Sequence, residues 1–230
     1  MRRADEVFTF EQRAARSPMV EQVWQTRSEP DARFISAAVS HWEMVVTRLS
    51  DATEVTVRGP ETRATAATIP RDAAFFGIQF SLGTFMPRLP PGPLVDRALT
   101  LSPATTRSFW LDGFRIEIPA ADDVDAFVDR LVRAGVLVHD PIVSAAARGS
   151  VQDLSSRSVQ RRVARATGLR LGQIRQIRRA QAAVQLLSRG VCAIDAAHRA
   201  GYADQAHLTR SLKRFVGQTP SQIAAPAAAS

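Results

Sequence analysis

The 230-residue chain contains a single cysteine, Cys192. One thiol excludes an intrachain disulfide framework and a multi-thiolate metal cluster. No apolar run reaches the roughly 18 residues that a membrane-spanning helix needs. The opening MRRADEVFTFEQ is not followed by the apolar segment of a secretory leader. The expected setting is therefore cytoplasmic, without a membrane partner. Histidine is scarce too: only His41 and His139 fall within the first 140 residues, and no His-x-His pair exists. A metal-dependent enzyme needs two or three histidines and a carboxylate converging on the ion. The sequence offers no such set, so no metal, no cofactor and no catalytic residue are expected.

Acidic residues are missing from one region. Residues 141–230 hold thirteen Arg, one Lys and three Asp, so 14 − 3 gives +11; residues 1–140 hold sixteen Arg and nineteen acids, giving −3, and the two sum to the chain's +8. The arginine-rich first part shows a general bias towards arginine. That bias does not explain the loss of acids from the last ninety residues, and a field of this sign favours an anionic partner.

An apolar content of 45% is enough for a packed core, and the length allows one large domain or two modest ones. Residues 1–19 are polar and expected to be peripheral. From Val20 to Ile78 the segments MVEQVW, ARFISAAV, HWEMVVTRL and EVTVRG are short, rich in β-branched or aromatic residues, and partly alternating, as strands are. Gly59-Pro60 reads as a turn, and Ile69-Pro70 ends a further strand. In AAFFGIQFSLG, Phe76, Ile78 and Phe80 point one way and Phe75, Gly77 and Gln79 the other. Ten of eleven Phe and all three Trp precede residue 141, which gives an aromatic-rich β core. PRLPPGPL closes the β-rich part, PLVDRALTL is expected to make a helical turn or two, and Phe109 to Ile118 a hairpin about Asp112-Gly113.

From Ala121 the period changes to that of a helix. Val124, Phe127, Val128, Leu131 and Val132 share one face, and Gly135 stands as a C-cap. A second helix is expected over Pro141 to Ala147, and Gly149-Ser150 marks the domain boundary. In LSSRSVQRRVARATG, Ser155 caps a helix with Val159 and Val163 on its inner side, stopped by Gly168. A long helix from Leu171 to Ser188 turns Ile174, Ile177, Ala180, Ala183, Val184 and Leu187 inward, and Gly190 ends it.

The stretch Cys192 to Ile223 carries the strongest local pattern. A short helix, Ala193 to Arg199, meets Gly201, which can turn the chain at positive φ. Asp204 caps a second helix whose Leu208, Leu212 and Phe215 form one apolar stripe. Gly217 ends it, and Thr219-Pro220 begins a third. A short helix, a turn and a helix rich in long polar donors suit a DNA major groove.

GYADQAHLTRSLKRFVGQTPSQI resembles the signature of the AraC/XylS family of bacterial transcription regulators. LSSRSVQRRVARATG and IRQIRRAQAAVQLL resemble that family's first helix-turn-helix and connecting helix. The resemblance implies an α+β chain: an N-terminal cupin-like β-barrel or sandwich with a helical cover, residues 1–148, followed by an all-α DNA-binding domain, residues 149–230, with two helix-turn-helix units joined by a long helix. The connecting helix would hold the recognition helices near one turn of DNA apart, roughly 34 Å. Carried over residue by residue, Ser156, Arg157, Gln160, Arg161, Gln205, His207 and Arg210 are expected to face bases, and Thr209, Lys213 and Arg214 phosphates. The resemblance also implies a partner in double-stranded DNA, contact with RNA polymerase in activation, a small-molecule effector, and a homodimer through the N-terminal domain. Three departures stand out: GSVQDLSS leaves little room for a scanning helix unless Pro141 to Ala147 serves; Cys192 replaces the usual Ser or Thr cap; and Gly172 stands where Pro often opens the connecting helix.

Overall fold

The computed structural model describes residues 2–3, 11–28, 33–151 and 154–224. Residues 1 and 4–10 of the opening segment expected to be peripheral, and part of GSVQDLSS, lie outside them. The first half is built on strands. Six of them form one antiparallel sheet: β2 (Glu11–Arg13), β3 (Val20–Arg27), β5 (Glu43–Arg48), β6 (Thr53–Arg58), β8 (Ala74–Phe80) and β10 (Ala98–Thr100), in the order β10-β6-β5-β8-β3-β2. Three more, β1 (Arg2–Arg3), β4 (Arg33–Ser36) and β7 (Thr65–Thr68), form a second sheet in the order β1-β4-β7. Side chains of both sheets line one cavity, so the two face each other. The short β9 (Thr84–Phe85) and β14 (Val138–His139) pair with each other, and β11 (Pro103–Thr105) joins the edge of a later hairpin.

The barrel expectation is corrected by this topology: among the described residues the larger sheet ends at β10 and β2, which do not pair, and no barrel closes. The sandwich alternative fits the two facing sheets. A second correction concerns PLVDRALTL. Only Gly92–Leu94 makes a helical turn, and Ala98 to Thr100 instead pair with Arg58, Val57 and Thr56 as an edge strand. Asp96 sets this course. At φ 57° it turns the chain, its amide donates to the Pro60 carbonyl (2.8 Å), and its carboxylate accepts from the Thr62 amide and hydroxyl (both 2.6 Å).

The period-2 pattern of β8 is obeyed. Phe76, Ile78 and Phe80 are buried in the first core with Val23, Met44, Val46, Val55 and Val57. Gly77 lies opposite Trp24 in the register, and a Cβ there would stand 2.1 Å from the indole. The glycine is required by that close approach. Trp42 stacks on Phe80 with ring centroids 4.0 Å apart and donates its Nε1–H to the Thr84 carbonyl (2.6 Å). A hairpin, β12 (Ser108–Leu111) and β13 (Phe114–Glu117), turns at Asp112 and Gly113, both at positive φ, as two-residue hairpin loops require. Helix α1 (Val124–Arg133) covers this core with Val124, Phe127, Val128 and Leu131. Val132, expected on the same face, is exposed.

Six helices follow: α2 (Pro141–Arg148), α3 (Ser156–Thr167), α4 (Leu171–Ser188), α5 (Ala193–Arg199), α6 (Gln205–Phe215) and α7 (Pro220–Ala224). They enclose a second core containing Val143, Val163, Ile174, Ile177, Leu208 and Leu212, which also takes in Ala38 and Phe85 from the first half. Each fully buried Leu or Ile contributes about 1.5–3 kcal/mol, so the two halves share part of their stabilisation.

Candidate nucleic-acid interface

Helix α3 starts at Ser155, in extended backbone, whose hydroxyl accepts from the Ser158 amide at 3.2 Å. It stops at Gly168, at φ 68°, where the amide donates to the Ala164 carbonyl at 2.8 Å. Val159, Val163 and Ala166 face the core, which leaves Ser156, Arg157, Gln160 and Arg161 exposed on the outer side. Two further exposed arginines of α3 have partners elsewhere in the chain. Arg162 pairs with Asp140 at 2.8 Å, and the Arg165 guanidinium lies 5.5 Å from the Phe85 ring centroid. The sequence pattern did not separate these two from the exposed row, because their partners lie outside the helix.

Helix α2 packs between the first half and the helices that follow. Asp140 caps it, accepting from the Ile142 amide at 3.1 Å. It packs on α3, and its Ala146 carbonyl accepts from Arg175 of α4 at 3.2 Å. The Ser144 hydroxyl donates to the Leu82 carbonyl and so ties α2 to the first half.

Helix α6 begins at Asp204, whose carboxylate accepts from the His207 amide at 2.6 Å. Leu208, Leu212 and Phe215 are buried, and Gln205, Arg210, Lys213 and Arg214 are exposed. His207 and Thr209 are half-buried. The His207 ring meets Tyr202 edge-on at 5.1 Å, and the Thr209 hydroxyl donates to the Gln205 carbonyl at 2.8 Å. Tyr202 is fixed in turn: its hydroxyl bonds Ser211 at 2.8 Å, and the Arg179 guanidinium lies 4.4 Å from its ring centroid. The turn before α6 is therefore braced by α4. Neither α3 nor α6 contains an acidic residue, so nothing on either helix neutralises its outward cations.

Helix α4 joins the two units. Its 18 residues span about 27 Å at about 1.5 Å per residue. It contacts α2, α3, α5, α6 and α7. Cys192 is the N-cap residue of α5, and its side chain makes no capping bond. Cys192→Ser is expected to stabilise the fold by about 1 kcal/mol, raising the melting temperature by about 2–4 °C in a thermal scan.

Sequence reasoning missed what holds the far end of α6. The Ala38 amide donates to the Phe215 carbonyl at 2.7 Å, and the Ala64 amide to the Arg214 carbonyl at 2.8 Å. These satisfy two of the helix's terminal carbonyls. Gln181 of α4 donates to the Ala38 carbonyl at 3.2 Å. No local pattern announces backbone donors so distant in the chain.

His41 and His139 are engaged separately: His41 Nδ1 bonds Gln79 at 3.2 Å and His139 Nδ1 bonds Thr84 at 2.9 Å. Burial lowers the pKa of both, that of His41 to about 4. Among the described residues no group of three His, Cys, Asp or Glu is placed to hold a metal, and no helix is long and apolar enough to cross a membrane.

Residues 151–225 match the family model described as a helix-turn-helix domain. No curated protein sequence matches the chain. Two solved structures of ToxT from Vibrio cholerae, one in a P21 crystal form at 1.65 Å and one from O395, align over 93% of this chain and 97% and 96% of theirs. Identity is 8% and the TM-score 0.40 in both. A likeness at that level carries no functional conclusion.

Proposed function

We propose that this chain, whose residues 151–225 match the helix-turn-helix family model, is a sequence-specific DNA-binding transcription regulator of the AraC type and not an enzyme. One observation carries the proposal: two exposed, acid-free rows of donors stand on capped helices that both pack on one connecting helix. Arg157, Arg161 and Arg210 suit guanine O6 and N7, and Gln160 and Gln205 suit adenine N6 and N7. Ser156 and His207 are the remaining base-facing positions, and the Tyr202 contact sets the direction of the His207 ring. Thr209, Lys213 and Arg214 serve phosphates, which supply affinity without sequence choice.

We divide the halves between residues 148 and 149, and Val143 and Ala146 of α2, on the N-terminal side of that division, pack in the helical core. The first half is the sensor and dimerisation part, acting through a small effector, and RNA polymerase is the second macromolecular partner. The direct grip of Ala38 and Ala64 on the end of α6 supports a sensor that acts on the second recognition helix.

Lys213→Ala tests the phosphate assignment. The variant is expected to bind operator and random duplex more weakly by similar factors, and to lower the slope of log K against log salt by about 1. Fluorescence anisotropy titrations at several salt concentrations read both. A loss confined to the operator would reassign Lys213 to base contact.

A further inference from the structure

The two facing sheets border a half-open cavity of about 450 Å3, within the size range of small-molecule sites. Its polar groups are unevenly balanced. Among the described lining residues there is one guanidinium, Arg58, and two carboxyls, Glu43 and Glu61. Arg58 sits closer to Glu61, at 2.9 Å, than to Glu43, at 3.4 Å. Glu61 also accepts from the Ser36 hydroxyl at 2.7 Å, so it is doubly held. Glu43 has the longer share of the guanidinium and one neutral donor, the Trp24 indole N–H at 3.2 Å. His41 adds no positive charge at neutral pH, since burial lowers its pKa to about 4. Burial also raises the pKa of Glu43, against the opposing pull of Arg58 and the Trp24 bond. A buried carboxyl with half a counter-ion is costly, and a second cation would offset that cost. Trp24, Phe34 and Phe75 line the same space and provide aromatic faces of the kind that attract cations.

We propose that this inter-sheet cavity binds a compact organic monocation with an apolar body, its charged group seated on Glu43 against the aromatic wall. The assignment rests on the effector-sensing reading above and supplies its ligand class. It also gives the ligand a route to DNA. Glu61 and Val39 exchange two backbone hydrogen bonds of 3.0 Å, and the neighbouring Ala38 amide is the one that holds Phe215 of α6. A cation that draws Glu43 away from Arg58 lets the guanidinium settle on Glu61, next to that grip.

The test titrates the full chain, without DNA, with three probes of one shape and different charge: benzamidine, benzamide and benzoate, followed by calorimetry. Benzamidine is expected to bind at least about tenfold more tightly than benzamide, the size of one charge-assisted hydrogen bond, and benzoate more weakly still. Glu43→Gln keeps the side-chain shape and is expected to bring benzamidine down to the benzamide value. Equal binding of the three probes, a preference for benzoate, no binding of benzamidine, or an unchanged benzamidine affinity in Glu43→Gln overturns the assignment. The probe series on the unaltered protein decides the matter even if the variant folds poorly. Because no DNA is present, failure here leaves the DNA-binding reading standing, and failure of DNA selection leaves a bound cation unexplained as an effector.

Discussion

Arg210→Ala is expected to weaken binding to a cognate operator by about 5- to 150-fold, equivalent to about 1–3 kcal/mol, while binding to random duplex changes little. The expectation follows from where Arg210 stands. It is exposed on α6, on the side opposite Leu208 and Leu212. The helix offers it no acidic neighbour. Its loss therefore removes nothing from the core, and the melting temperature should stay within the range of an ordinary surface change, about 0.5 kcal/mol. Paired titrations on operator and random DNA separate the two effects. An equal loss on both duplexes would show that Arg210 touches phosphate and reads no base.

Leu212→Ala, on the inner face of the same helix, should do the reverse. Leu212 is fully buried in the helical core, so truncation leaves a cavity and is expected to cost about 2–5 kcal/mol. That is a large share of the roughly 5–15 kcal/mol that separates folded from unfolded domains. The melting temperature should fall on the order of 10 °C, and operator and random DNA binding should fail together as the bundle opens. Denaturation monitored by circular dichroism reads the stability directly. A stable Leu212→Ala protein would mean that α6 is not held by this stripe. The contrast between Arg210 and Leu212, two residues apart in sequence, is the behaviour of a helix with one structural and one recognition face.

The helical half was largely legible in the sequence because its signals are local. Ser155 and Asp204 cap their helices, Gly168 and Gly217 take positive φ at the ends, and Pro220 opens α7. The outward faces of α3 and α6 followed from the same periodicity that placed Val159, Val163, Leu208 and Leu212 inside. The β half was legible strand by strand but not as a topology, since sheet order depends on register between distant segments. Ala98 to Thr100 joined an edge beside β6 because Asp96 is tied to Pro60 and Thr62, which no helical or strand period encodes. The cavity was hidden for a related reason. Glu43 and Arg58 look like ordinary polar residues on alternating strands and Glu61 like one in the loop that follows, and only the facing of the two sheets brings them into one cavity. The grip on α6 was invisible because its donors, Ala38 and Ala64, act through backbone amides.

Selection of bound duplexes from a random pool by the full chain tests the central claim most directly. Two donor rows held by one connecting helix should enrich a pair of half-sites whose centres lie about 10–10.5 base pairs apart, with Arg210→Ala degrading one of them and Arg161→Ala the other. Recovery of no enriched sequence, or of a single half-site indifferent to both substitutions, would contradict the account.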